Sequence, residues 1–363
     1  RIPEGSGRYG TFAGIMQWPQ AHSNCSMTIL SETLSPAGMV RGRGALPAGA
    51  FACYSASMTL SPALRGTLIP IAILLAVGGA WGAVPALARY AVTSGIAPMG
   101  YVFWVAVGAG ICCWGLCAQR GVMPRFSGPH IRYYLLSGCS RFVLAGFVMY
   151  TVLQNIPAGI VAILLGTAPL MTFAASVALR HQKFSLRRGV GTLVGLIGIL
   201  LVFVPATGMS ANLSLGWLAL GLVTPLIYAY SNITIDRSRP EGDDSMALTA
   251  GIFTLSSLIA LVMSLATGQF HALWDVELGL PEVAMFAHAA ILSMCFFGLY
   301  ELIRRTDATF GAQATYVTTL TGILYGMALL GERPGLLVWA AALLVLVGVG
   351  LVNSGRSAEP GRS

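Results

Sequence analysis

"LLGERPGLLVWAAALLVLVGVGLV", from Leu329 to Val352, sets a Gly-Glu-Arg-Pro turn between two apolar runs. The first run begins near Phe310 and the second ends at Asn353. Each is about the length that crosses a bilayer as a helix, and the turn between them leaves room only for a tight antiparallel hairpin. The same alternation recurs along the chain. Hydrophobic residues make up 56% of it and charged residues 9%, where a soluble domain carries roughly 25% charged residues. A soluble globular protein is excluded on that ground. In lipid every backbone amide must be satisfied within the protein, which leaves helices or closed barrels. The runs are continuous rather than alternating, so they are helices. Ten are expected, over 67–91, 98–118, 133–153, 157–179, 189–205, 213–235, 246–267, 281–303, 310–330 and 335–353. The fold class is an all-α integral membrane protein.

Basic residues set the orientation. The connections after helices two, four, six and eight hold Arg120, Arg125, Arg132, Arg180, Lys183, Arg187, Arg188, Arg237, Arg239, Arg304 and Arg305, and the tail adds Arg356 and Arg362. The opposite connections hold only Arg89 and Arg333, with acid at Asp275, Glu277 and Glu282. Both termini are therefore expected in the cytoplasm. The net charge of +8 reflects this asymmetry and implies no nucleic-acid partner. Five of the seven cysteines lie in apolar runs, without His or carboxylate neighbours at ligand spacing, and read as small apolar filler rather than a metal site. Residues 1–65 are rich in Gly, Ala and Ser, with Met58 just ahead of the first helix. They read as a disordered or mis-extended N-terminal segment, with an organellar transit peptide as the alternative.

Shifting the chain by 150 positions lays "LRHQKFSLRRGVGTLVGLIGILLV" (Leu179–Val202) over the opening stretch without a gap. Gln182-Lys183 falls on Glu332-Arg333, Gly198 on Gly348, Tyr150 on Tyr300, Ala158 on Ala308 and Ala162 on Ala312. Pro85 relates more weakly to Pro225. The chain thus divides into five-helix repeats at 66–207 and 208–353, followed by a cytoplasmic tail at 354–363. Five is odd, so the second repeat enters the membrane the other way up, an inverted repeat. Glu332-Arg333 is then the polar turn of a hairpin at the membrane interface.

A charged hairpin between an Ala-rich helix and a Gly-rich one, found twice, resembles the EamA-type members of the drug/metabolite transporter superfamily. The marks are the opening stretch, its relative from Ala168 ("APLMTFAASVALRHQKFSLRRGVGTLVGLIGILLV") and "AWGAVPALARY" (Ala80–Tyr90). The sequence departs from the family pattern at Gln182, in place of the usual acid, and at Thr319, in place of the Pro seen as Pro169. The resemblance implies a carrier with a central cavity lined by helices one, three, four, six, eight and nine, and with helices five and ten at the periphery.

Arg141 lies about 12 Å along helix three from its cytoplasmic edge, a depth at which a charge costs several kcal/mol unless it faces a cavity or a partner. It is a candidate fork for a substrate carboxylate, against the alternative of snorkelling to the headgroups. Helix nine carries Gly311, Thr315, Thr318, Thr319, Gly322, Tyr325 and Gly326 at helical spacing, and helix six carries Thr224, Tyr228 and Ser231. Such stripes read as close packing, a wet cavity, or both. Trp81, Tyr150, Tyr228, Thr315 and Thr319 are accordingly candidate substrate contacts beside Arg141. His288 and Glu301 are candidates for a coupling proton, with Glu301 alternatively pairing Arg304 or Arg305. No cofactor, metal site or catalytic grouping is read from the sequence. One deep cation with hydroxyls and aromatics fits a small zwitterion or carboxylate such as an amino acid, and with the resemblance the expected function is export of small metabolites across a bacterial inner membrane. Multidrug efflux and organophosphate or nucleotide-sugar exchange are the alternatives within transport. A membrane scaffold or a membrane enzyme is the alternative outside it.

Overall fold

A computed structural model describes residues 62–180, 184–203, 215–234 and 238–354. The segment before residue 62, the Gln182-Lys183 turn, Arg237, the ends of the expected helices at 205 and 235, and the tail from 355 lie outside the described residues. The described residues form helices joined by short connections: α1 (Pro62–Thr93), α2 (Pro98–Arg120), α3 (Gly128–Leu153), α4 (Ala158–Ala178), α5 (Leu186–Phe203), α6 (Leu215–Thr234), α7 (Ser245–Ala266), α8 (Leu280–Arg305), α9 (Ala314–Leu330) and α10 (Leu336–Ser354). Seven of these, α1 to α4, α7, α8 and α10, are long and apolar enough to cross a membrane. Among the rest, α9 is 17 residues long, and α6 carries Thr224, Ser231 and Asn232 among its apolar residues.

Local chemistry fixes where the helices begin and end. α2 opens on Pro98, whose missing N–H costs nothing at a helix start, and closes on Gly121 in the left-handed conformation, φ 67°. The Asp244 carboxylate caps α7 by accepting from the Met246 N–H at 2.7 Å and the Ala247 N–H at 3.4 Å. In α8, Pro281 sits in the first turn, and Glu282 reaches back to accept from the Gly279 N–H at 2.9 Å. Arg304 and Arg305 occupy its last turn, the end that favours cations.

Helices pair across the two halves of the chain: α2 with α7 and α8, α4 with α9, α5 with α10, and α6 with α3 and α4. Between apolar helices in lipid the attraction is van der Waals packing, so small residues mark the closest crossings. The α5–α10 crossing shows this. A Cβ on Gly348 would lie 2.5 Å from the Gly191 carbonyl oxygen, and one on Gly191 would lie 2.7 Å from that of Gly348. Backbone meets backbone there, and glycine alone fits. Gly195, one turn beyond Gly191 on the same face, lies under the Leu170 side chain.

Candidate functional site

Three stretches of irregular helix contribute to the lining of one cavity. α3 changes to π geometry over Gly138–Leu144, the stretch that carries Arg141. Such π turns are frequent at functional sites, because the extra residue redirects a side chain that α geometry would aim elsewhere. α4 is broken at Thr167 between its two stretches, Ala158–Gly166 and Ala168–Ala178. Pro169 follows and contributes no N–H to the ladder, and the Thr167 hydroxyl donates to the Leu164 carbonyl at 2.6 Å. A separate short turn, Ala308–Gly311, leads into α9.

Around these breaks lies a cavity of about 930 Å³. Arg141, Trp81, Tyr150, Tyr228, Thr315, Thr319 and His288 all line it. Glu301 is absent from the lining and pairs with Arg304 at 2.9 Å and Arg305 at 2.6 Å, the alternative its spacing had offered. The α9 stripe divides. Gly311, Thr315, Thr318 and Thr319 face the cavity, whereas Gly322 and Gly326 let α9 close on α4: a Cβ on Gly322 would lie 2.5 Å from that of Ala162.

Two layers of chemistry line the walls. In one, Arg141 Nη2 donates to Asn232 Oδ1 at 2.7 Å, and Asn232 Nδ2 donates to Thr172 Oγ1 at 3.4 Å. The other is aromatic. Trp81 meets Phe296 edge-on at 5.3 Å, and Tyr150 meets Tyr101 edge-on at 4.7 Å. The Tyr101 hydroxyl lies 2.9 Å from His288 Nδ1, which fixes the buried imidazole against α2.

The sequence pointed to one cavity cation, and here the structure corrects it. Arg188 also lines the cavity, buried to 3% exposure, its guanidinium 5.6 Å over the Phe173 ring. In sequence it belongs to the run of basic residues near the α4–α5 turn. It is the early start of α5, at Leu186, that brings Arg188 inside against α4. Among the described lining residues there is no Asp or Glu. Asn232 was likewise missed, since a single amide at the end of an apolar helix gives no signal without its partner.

Glu332 of the opening stretch lies beyond the opposite end of the cavity. Its carboxylate accepts from the backbone N–H groups of Ala158 at 2.6 Å and Gly159 at 3.0 Å, the first turn of α4. Helix N-termini carry unsatisfied donors and favour negative charge. Arg89 Nε sits 3.6 Å from the same carboxylate, and Arg89 Nη1 donates to the carbonyls of Leu153, at 3.1 Å, and Ile156. The side chain of Glu332 is 13% exposed. Glu332 does more than form a polar turn: it ties α9–α10 to α4 and, through Arg89, to α1.

Among the described residues, seven helices fit to cross a bilayer and a cavity with hydroxyl, amide and guanidinium groups in its wall suit a membrane transporter. The EamA-like transporter family matches the chain twice, over residues 68–204 and again over 215–354. The chain belongs to that family. It is similar to the uncharacterized inner membrane transporter YedA of Escherichia coli strain K12, with 25% identity over 226 residues, covering 60% of this chain and 69% of that one. The YedA proteins of Escherichia coli O6:H1 and O157:H7 match equally, at 25% identity over 226 residues. A solved crystal structure superposes with a TM-score of 0.54 over 81% of this chain and 99% of its own, at 16% identity, a likeness of fold alone.

Proposed function

We propose that the protein is a secondary transporter of a bacterial inner membrane that exports small carboxylate-bearing metabolites, such as amino acids, by alternating access. It spans the bilayer ten times as two inverted five-helix repeats, with both termini in the cytoplasm. The observation that carries this reading is the cavity itself, lined from both halves of the chain and bounded differently at its two ends. At the end held by Glu332, the first turn of α4 is buried and tied across the halves. At the other, Asn232 and Ile303 line the cavity and are exposed. By the distribution of basic residues the second end is cytoplasmic. The arrangement is thus an inward-facing carrier with its outer side shut. The twofold family match and the pairing of α4 with α9 and α5 with α10 support the repeat.

In this reading Arg141 is the carboxylate fork, held in position by Asn232. The aromatic pair Trp81 and Phe296 flanks the solute, and Tyr150, Tyr228, Thr315 and Thr319 supply contacts around it. His288 is the coupling candidate that faces the cavity. Comparison of spent medium from cells expressing the wild type, Arg141→Ala or neither tests the proposal by mass spectrometry. Carboxylated metabolites should accumulate outside with the wild type, and Arg141→Ala should lower that at least about 100-fold at equal membrane levels, the loss of a bidentate charged contact. Equal export by both proteins would remove Arg141 from the mechanism. A chemically altered product would indicate an enzyme instead.

A further inference from the structure

The connection between α7 and α8, residues 267–279, carries Asp275 and Glu277, and hydropathy alone would leave it in water above the membrane. The structure lays it along the side of α2. A Cβ on Gly100 would lie 2.5 Å from the Gln269 carbonyl oxygen, so the two backbones touch there. The Gln269 side chain accepts from the Met99 N–H at 3.1 Å, and Trp104 Nε1 donates to the His271 carbonyl at 2.7 Å. Trp104 lies about 9 Å along the axis of α2 from Pro98, at 1.5 Å per residue. The connection therefore runs beside the first turns of a helix fit to cross the membrane, not above them. His271 Nε2 lies 3.0 Å from Glu282, which also accepts from the Gly279 N–H at 2.9 Å. What faces outward is apolar. Trp274 is 73% exposed, Leu278 69% and Leu280 70%. The Phe270 ring stands 5.8 Å from that of Trp274 and 5.6 Å from that of Phe103 on α2. Val262 and Leu265 near the end of α7, and Val283 and Phe286 at the start of α8, are exposed as well. The apolar face of the connection thus continues the outer faces of two helices fit to cross the bilayer.

We propose that the α7–α8 connection is a membrane-interface anchor: Trp274, Leu278 and Leu280 sit in the boundary between headgroups and acyl chains, and Trp104 holds the connection at that depth. The partner is the phospholipid surface of the bilayer that the protein spans. Irregular backbone is not tolerated against the hydrocarbon core, and tryptophan favours the headgroup level; together they set a shallow position. Asp275 and Glu277 are exposed, and the sequence holds no Lys or Arg from 267 to 303. Such a face suits headgroups of no net charge and repels acidic ones, the reverse of a polybasic lipid-binding segment. The inference is independent of what the cavity carries.

The test uses the full chain in phosphatidylcholine nanodiscs, with an environment-sensitive fluorophore on Trp274→Cys in a cysteine-free background. The label should lose most of its emission to a lipid quencher placed near the headgroup, less to one at the end of the acyl chain, and little to aqueous iodide. A label on Glu241→Cys, in the α6–α7 connection, should show the opposite order. In the otherwise native chain, the tryptophan emission that Trp274→Phe removes should be the part quenched by acyl chains brominated near the headgroup. In discs of equimolar phosphatidylcholine and phosphatidylglycerol, bromine on the first lipid should quench more than bromine on the second. Trp104→Phe keeps the ring and loses the N–H that holds the His271 carbonyl, so iodide should then reach the label at 274. Iodide quenching at 274 equal to that at 241 overturns the proposal. A label that neither iodide nor lipid quenches also overturns it, because a second copy of the chain or another protein then covers the face. Equal quenching by the two brominated lipids overturns the headgroup preference, and unchanged protection in Trp104→Phe overturns the role given to Trp104.

Discussion

The two ends of the cavity are built from different chemistry. At the hairpin end, one carboxylate satisfies two backbone donors of α4 and stands beside Arg89, so four helices meet at a single side chain. At the opposite end Arg141 donates to Asn232, Arg188 lies over the Phe173 ring, and both side chains line the cavity. The first arrangement consumes its hydrogen-bonding capacity internally and so closes. The second sets two guanidiniums and an amide along the cavity wall. In the alternating carrier proposed above, the first would be a shut end that holds by itself and the second a wall that meets the solute.

The largest effect expected from disturbing that contrast is at Glu332. Glu332→Ala leaves the N–H groups of Ala158 and Gly159 without their acceptor and Arg89 without its carboxylate, which should cost about 3 kcal/mol of closure. A cysteine placed at Thr319 in a cysteine-free background should then react with an impermeant thiol reagent added outside, at a rate far above that of the parent. Unchanged labelling would mean that the hairpin does not hold the outer side. A smaller effect is expected at Arg89. The carboxylate lies 3.6 Å from its Nε, so the pair is a minor partner beside the backbone contacts. A double-mutant cycle between Arg89→Met and Glu332→Gln, read in thermal stability, should give a coupling of about 1 kcal/mol. A coupling several times larger would make the ion pair, rather than the helix cap, the principal tie. The smallest effect is expected at Glu301. Its pairs with Arg304 and Arg305 sit in the last turn of α8, off the cavity, so Glu301→Gln should transport within about two-fold of the parent. Loss of coupled transport in that variant would restore Glu301 as a proton carrier.

The helices were legible because continuous apolar runs separated by charged turns admit few other readings. Arg141 was legible for a related reason: a guanidinium eight residues inside such a run needs a cavity or a partner. Arg188 was not. It follows Arg187 in a cluster that orients the chain, and nothing local says that Phe173 will cover it. Glu332 was visible as a polar turn, but its acceptor role depends on backbone N–H groups 174 and 173 residues away in the chain. Contacts of that range are made by the packing of α4 against α9, which hydropathy does not encode. The stripe on α9 was read correctly as small and polar. Only the crossing geometry separates Thr315 and Thr319, which face the cavity, from Gly322 and Gly326, which close it.

The π stretch of α3 has a consequence for how this chain aligns with others. A π turn holds one residue more than the α turn it replaces, and each residue advances an α-helix by about 100°. Deleting one residue between Gly138 and Leu144 would restore regular winding and swing everything on one side of the fault by that angle, taking Arg141 or Tyr150 out of the cavity. A relative without the fault therefore needs a single-residue gap inside this helix to bring its inward-facing side chains into correspondence. An ungapped alignment through that span would compare a residue that lines the cavity with one that faces away from it.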